Sequence, residues 1–164
     1  MTDTTADLRL MATAYHEAGH ALVAVLLGRP VHKVTIEPGQ MLAGVRLGAC
    51  EIRKGRTRAS KDWLEDEVLI LLAGMVAQAQ LTGDYCREGA AQDLVAVRRL
   101  LEKSRATNER QLERLEQRMI DKCEHLLGSE AAMKAVEWIA ADLLKNSTIS
   151  GRAVRHWVEQ AQLM

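Results

Sequence analysis

The sequence contains no phenylalanine, and only 3% of its residues are aromatic. That scarcity removes the stacking platforms on which single-stranded nucleic acids are held. Neither sign of charge dominates. Lys plus Arg and Asp plus Glu number 22 each, so net charge gives no argument for a nucleic acid or a membrane as partner. The three cysteines, Cys50, Cys86 and Cys123, are far apart and form no C-x-x-C pair. Reduced thiols in a cytoplasmic protein are expected from this, not a disulfide framework or a cysteine zinc site. The opening "MTDTTADLRL" lacks the shape of a signal peptide, and the longest apolar run, "ALVAVLLG", is far too short to span a bilayer. No G-x-x-x-x-G-K-[ST] phosphate loop occurs. At 164 residues the chain is long enough for one compact domain with a sizeable core, and a single domain over 1–164 is expected.

What is present reads as helices around a small sheet, a mainly α (α+β) fold. Thr4 or Thr5 can cap a helix with Leu8, Met11, Tyr15, Leu22 and Leu26 on one face, ended by Gly28 and Pro30. "VHKVTIEP" and "MLAGVRLGACEI", joined by "PGQ", read as strands and a turn. "RKGRTRAS" is an exposed basic connector, read as a solvated loop rather than an anion-binding patch. Ser60 is expected to cap a second helix, with Leu64, Val68, Leu71, Leu72, Met75 and Val76 inward and Gly83 at its end. A helix from about Ala90 to Ser104 follows. Then come a charged helix stopped by Gly128, one capped by Ser129 and a short last one capped by Ser150.

The chemistry lies in "AYHEAGHALVAVLL". Residues four apart share one helix face, so His16 and His20 project together and can chelate one ion. Glu17, beside the first histidine, can reach a water at the metal without being a ligand itself. This is the sense of H-E-x-x-H: two zinc ligands and a general base. A chance pattern would bury three polar side chains without partners, at a cost of several kcal/mol or so. A zinc peptidase needs a third protein ligand. Val23 and Leu26 stand where a metzincin extension would need glycine and histidine. Spacing leaves Glu51, Asp84, Cys86, Glu88 and Asp93 as candidates. His32, His125 and His156 are lone residues read as surface side chains, and Tyr15, Met11 and Met75 as core.

"TAYHEAGHALVAVLL" followed by "VHKVTIEP" resembles the start of the peptidase domain of the FtsH family of ATP-dependent zinc proteases. "LEDEVLILLAGMVAQAQLTG" resembles that family's helix ending in Leu-Leu-Gly-Gly-Arg-Ala-Ala-Glu-Glu. "GAAQDLVAVRRLL" is similar to its Gly-Ala-Ser-Asn-Asp-Leu segment, whose aspartate is the third zinc ligand, and that role falls on Asp93. "LLKNSTISGRAV" resembles the closing segment, so the likeness runs from about Ala12 to Val158. The resemblance implies a zincin-like fold, Zn2+ as cofactor and a polypeptide as substrate.

Three departures qualify that expectation. The family carries transmembrane helices and an ATPase ahead of the peptidase, so a free-standing peptidase without its own ATPase is expected, with a separate ATPase as a conceivable partner. Met75 and Gln78 replace arginine and glutamate. Gln78 can still hydrogen-bond a ligating histidine, without the charge. A long segment after "DLVAVRRLL" is missing, which argues for a monomer or small homo-oligomer. "AGVRLGA", with Gly44, Val45 and Arg46, is the candidate strand edge for substrate. The expected function is a soluble, ATP-independent zinc metalloendopeptidase with Glu17 as catalytic base. The alternative is a zinc-containing interaction module that has lost hydrolysis.

Overall fold

The computed structural model describes residues 4–41, 44–104 and 106–164. In chain order the elements are α1 (Thr4–Leu26), β1 (Val31–Thr35), β2 (Gly39–Met41), β3 (Gly44–Arg46), β4 (Ala49–Ile52), α2 (Trp63–Thr82), α3 (Ala91–Glu102), α4 (Glu109–Leu127), α5 (Glu130–Asn146), β5 (Thr148–Ser150) and α6 (Gly151–Gln162). The mainly α expectation holds.

The first helix is described from Thr4 onward, and the residues before it lie outside the described ones. Its continuous buried stretch begins near Ala14, as the small residues Ala14, Ala18, Ala21 and Ala24 permit close packing. Leu8, expected on the inner face, is 58% exposed, because it lies more than a turn before that stretch. Gly28, at φ +78°, takes the left-handed turn that ends the helix.

The basic connector is mostly exposed, yet it is not free. Arg56 Nη1 donates to the carbonyl of Leu27 at 3.3 Å, and Arg58 donates to that of Leu26. The last turn of α1 has no basic residue of its own, so these arginines supply the positive charge its carbonyl end favours. Arg56 also reaches Asp66 at 3.0 Å, and Arg29 pairs with Glu67. The cap of α2 is Asp62, whose Oδ1 accepts from Glu65 N at 3.0 Å. Ser60, expected in that role, accepts from Asp62 N and donates to Asp66. Ser129 and Ser150 cap α5 and α6 as expected.

One small sheet was expected, and among the described residues there are two. The larger is antiparallel with strand order β4-β1-β5, and β2 pairs with β3 in a separate ribbon. The third strand, β5, was missed: three residues between two helices carry little local signal, and their pairing with β1 is non-local. Thr35 and Thr148 join hydroxyls across that pairing at 2.8 Å.

The helices pack through a shared core that includes Leu22, Leu72, Met75, Leu101, Leu127, Ile139 and Leu143, each essentially excluded from water. Each such burial is worth roughly 1.5–3 kcal/mol. The crossing of α1 and α2 is set by Gly19. A side chain there would place its Cβ 2.4 Å from the Ala73 carbonyl oxygen and 2.5 Å from Ala77 Cβ. That close crossing brings the histidine face of α1 onto α2.

Candidate metal centre

Helical geometry puts His16 and His20 on one face, and packing turns that face onto α2 and α3. Nε2 of His16 and Nε2 of His20 each lie 3.2 Å from the same atom, Asp93 Oδ2. The other nitrogen of each ring is held. His20 Nδ1 donates to the Ile70 carbonyl at 2.7 Å, and His16 Nδ1 meets Gln78 Oε1 at 3.1 Å. A carbonyl oxygen only accepts, so Nδ1 of His20 carries a proton and Nε2 is the ligand atom. The three ligand atoms lie within 4.8 Å of one another.

The electrostatics agree with the geometry. Burial alone would lower the pKa of His20, but the hydrogen bond and charge of Asp93 raise it from 6.5 to about 9. Burial opposes ionisation of Asp93, yet hydrogen bonds to His16 and His20 hold its carboxyl well below the usual carboxylate range. In the metal-free chain a proton on His20 Nε2 bridges to Asp93, at the nitrogen a metal would take instead.

The donor set suits a divalent ion of zinc type: two imidazoles with fixed Nδ1 atoms, and one carboxylate. Both rings lie directly against α2: a Cβ on Gly74 would stand 2.4 Å from His20 Nε2 and 2.6 Å from His16 Nε2, so only glycine lets them approach this closely.

Glu17 is not part of this cluster. It is only 7% exposed, and burial raises its carboxyl above the usual range against the pull of His20 and His16. Asp93 adds to the rise and Arg46 opposes it. The link between β3 and β4 runs over it: a Cβ at Gly48 would lie 2.9 Å from Glu17 Cγ and 2.8 Å from the Thr35 carbonyl oxygen.

Residues 4–106, more than half the chain, match the profile of Peptidase family M41. The chain belongs to that family. Similar proteins are the ATP-dependent zinc metalloprotease FtsH of Pelobacter propionicus, 42% identical over 93 residues, or 56% of this chain and 14% of that protein. The protein of the same name from Acidobacterium capsulatum is 40% identical over 74 residues, 44% of this chain and 11% of the relative. ATP-dependent zinc metalloprotease FTSH, chloroplastic, of Capsicum annuum is 36% identical over 98 residues, 57% of this chain and 15% of the relative. The chain thus spans about a seventh of the length of these relatives or less. The M41 match ends at 106, so it does not reach the likeness read in "LLKNSTISGRAV".

In this M41 chain, of the five spacing candidates for a third ligand, only Asp93 joins the two histidines among the described residues. Gln78 stands at His16, as its position suggested. Gly44 to Arg46 form β3 of the ribbon, and β4 is one of the two outer strands of the larger sheet. Sequence motifs have no place for the Ile70 carbonyl or for Gly48, whose roles are seen only once backbone is in place. Gly74 was visible in "LLAGM" but carried no chemistry of its own. His32, His125 and His156 are exposed, and Met75 is buried. Among the described residues no helix is long and apolar enough to cross a membrane.

Proposed function

We propose that this M41 chain is a zinc metalloendopeptidase of H-E-x-x-H type that hydrolyses unfolded polypeptides and needs no ATP of its own. We read it as one domain over 1–164, cytoplasmic, a monomer or small homo-oligomer, with neither nucleic acid nor membrane as partner. The observation that carries the reading is the convergence of His16 Nε2, His20 Nε2 and Asp93 Oδ2 beside a buried carboxylate that is not a ligand.

A zinc ion held by these three residues would polarise a peptide carbonyl and acidify a water molecule. Ile70 and Gln78 fix the two rings through Nδ1, so the ligand nitrogens need no reorganisation. Glu17 accepts the proton of the water that attacks the carbonyl carbon, then delivers it to the leaving amine nitrogen as the C–N bond breaks. A carboxyl raised by burial suits both halves of that transfer. We assign the strand Gly44–Arg46 to binding extended substrate through its backbone, with the Arg46 guanidinium in the field of Glu17.

Glu17→Gln tests this directly. The variant should keep its zinc and fold while losing roughly 10²–10⁴-fold of casein hydrolysis. A chelator should abolish the parent's activity, and ATP should leave it unchanged. Equal cleavage by parent and variant would refute the assignment.

A second reading is an interaction module that keeps zinc, has lost hydrolysis and docks a separate ATPase or other partner. It is favoured by Gln78, an uncharged residue at the position where the FtsH resemblance puts a glutamate. A fully zinc-loaded parent that cleaves nothing would support it.

A further inference from the structure

We infer that Gly74 is a positioning residue for the metal centre: its missing side chain is what lets the ligating rings of His16 and His20 lie against α2. The inference rests on the zinc-site reading above and adds a residue that ligates nothing.

Two glycines at the α1–α2 crossing do different work. Gly19 faces backbone, since its Cβ would meet the Ala73 carbonyl oxygen at 2.4 Å and the carbonyl carbon at 3.0 Å. Backbone in a packed helix cannot step aside, so Gly19 serves the fold. At Gly74 the three nearest atoms are all imidazole atoms: His20 Nε2 at 2.4 Å, His16 Nε2 at 2.6 Å and His16 Cδ2 at 2.8 Å. All three belong to side chains that carry the candidate ligand atoms. Nothing about the helix itself requires glycine here. Gly74 has no left-handed φ, lies mid-helix in α2 and is flanked by Ala73 and Met75, where alanine is the better helix former. A residue that weakens its helix and whose nearest neighbours are the two ligand rings has its physical reason in seating those rings. The rings cannot swing far to escape a methyl group, because Nδ1 of His20 is tied to Ile70 and Nδ1 of His16 to Gln78.

The test is Gly74→Ala. Zinc and cobalt affinities are measured by competition with a chromophoric chelator, and metal-free stability by thermal melting in chelator. Zinc affinity should fall about 100-fold or more, at least as far as for loss of a residue that orients a ligand. Bound cobalt should lose the intense visible absorption of a four-coordinate site. Metal-free Gly74→Ala should lose stability that removal of the two rings restores, while Gly19→Ala should lose stability whether or not the rings are present. Should Gly74→Ala fail to fold, the triple variant His16→Ala, His20→Ala, Gly74→Ala decides. Folding restored by removing the rings places the collision on the ligands, and a triple variant equally unfolded overturns the inference. Unchanged zinc affinity in a folded Gly74→Ala also overturns it. A parent that binds no zinc refutes the metal-site reading instead, so the two failures are separate.

Discussion

Gln78 Oε1 accepts a hydrogen bond from His16 Nδ1 at 3.1 Å, so a residue of α2 orients the first histidine of α1. Removing it frees the ring to rotate. Gln78→Ala should weaken zinc binding roughly 10–100-fold. Gln78→Glu should bind more tightly than the parent, because a carboxylate on Nδ1–H makes Nε2 more basic. Chelator competition reads both, and a Gln78→Ala variant of parental affinity would show the contact to be idle.

Protons and metal compete for the same nitrogen, which fixes a pH dependence. His20, raised from 6.5 to about 9, gives the metal-free fold stability that is complete below pH 6.5 and lost as pH rises through about 9. Asp93 is depressed, so its contribution is present above its ordinary 3.8 and lost as pH falls through its lowered value. The metal-free protein should therefore melt at lower temperature as pH rises from about 6.5 toward 9. Zinc replaces the proton, so the melting temperature gained on adding zinc should grow over that interval. A gain that stays flat would contradict the shared site, and Asp93→Asn should flatten it.

The thiols should separate by environment. Cys86 is exposed, whereas Cys123 is fully buried and pushed up to about 12 by burial. Cys50 is raised by burial and by the charges of Glu17 and Glu51. Because the thiolate is the reactive form, the native protein should show one fast thiol per chain, absent in Cys86→Ser. Denaturant should release all three, and three fast native thiols would refute this packing.

Gly151 opens α6 against β1, and a Cβ there would stand 1.8 Å from the Val31 carbonyl oxygen. Gly151→Ala must displace backbone and should cost about 2–3 kcal/mol in chemical denaturation. Parental stability would mean that α6 docks elsewhere.

The sequence was most readable where a property is local. His16 and His20 could be placed together from helical spacing alone, and Ser129 and Ser150 from their position before apolar periodicity. It was least readable where a partner is distant or made of backbone. The Ile70 carbonyl that fixes His20 is 50 positions away and has no side-chain signature. Ser60 and Asp62 are both good caps, and only the bond from Glu65 N decides for Asp62. Asp93 illustrates the middle case: spacing left five candidates, resemblance singled one out, and three-dimensional packing brings that one to both rings. The arginines of the connector looked free because the carbonyls they cap lie 29 and 32 positions earlier.

The separation of the ligands along the chain has a mechanical consequence. His16 and Asp93 are 77 positions apart, so an ion shared between them staples two remote points of one polymer. On the chain-entropy view a bond closing a loop of that size is worth about 4–5 kcal/mol against the unfolded ensemble, as for a disulfide. Unlike a disulfide, this staple opens by chelation and needs no electrons. Unfolding of the loaded chain should accordingly be governed by the concentration of free zinc, which makes the metal a reporter on the integrity of the helices that hold it.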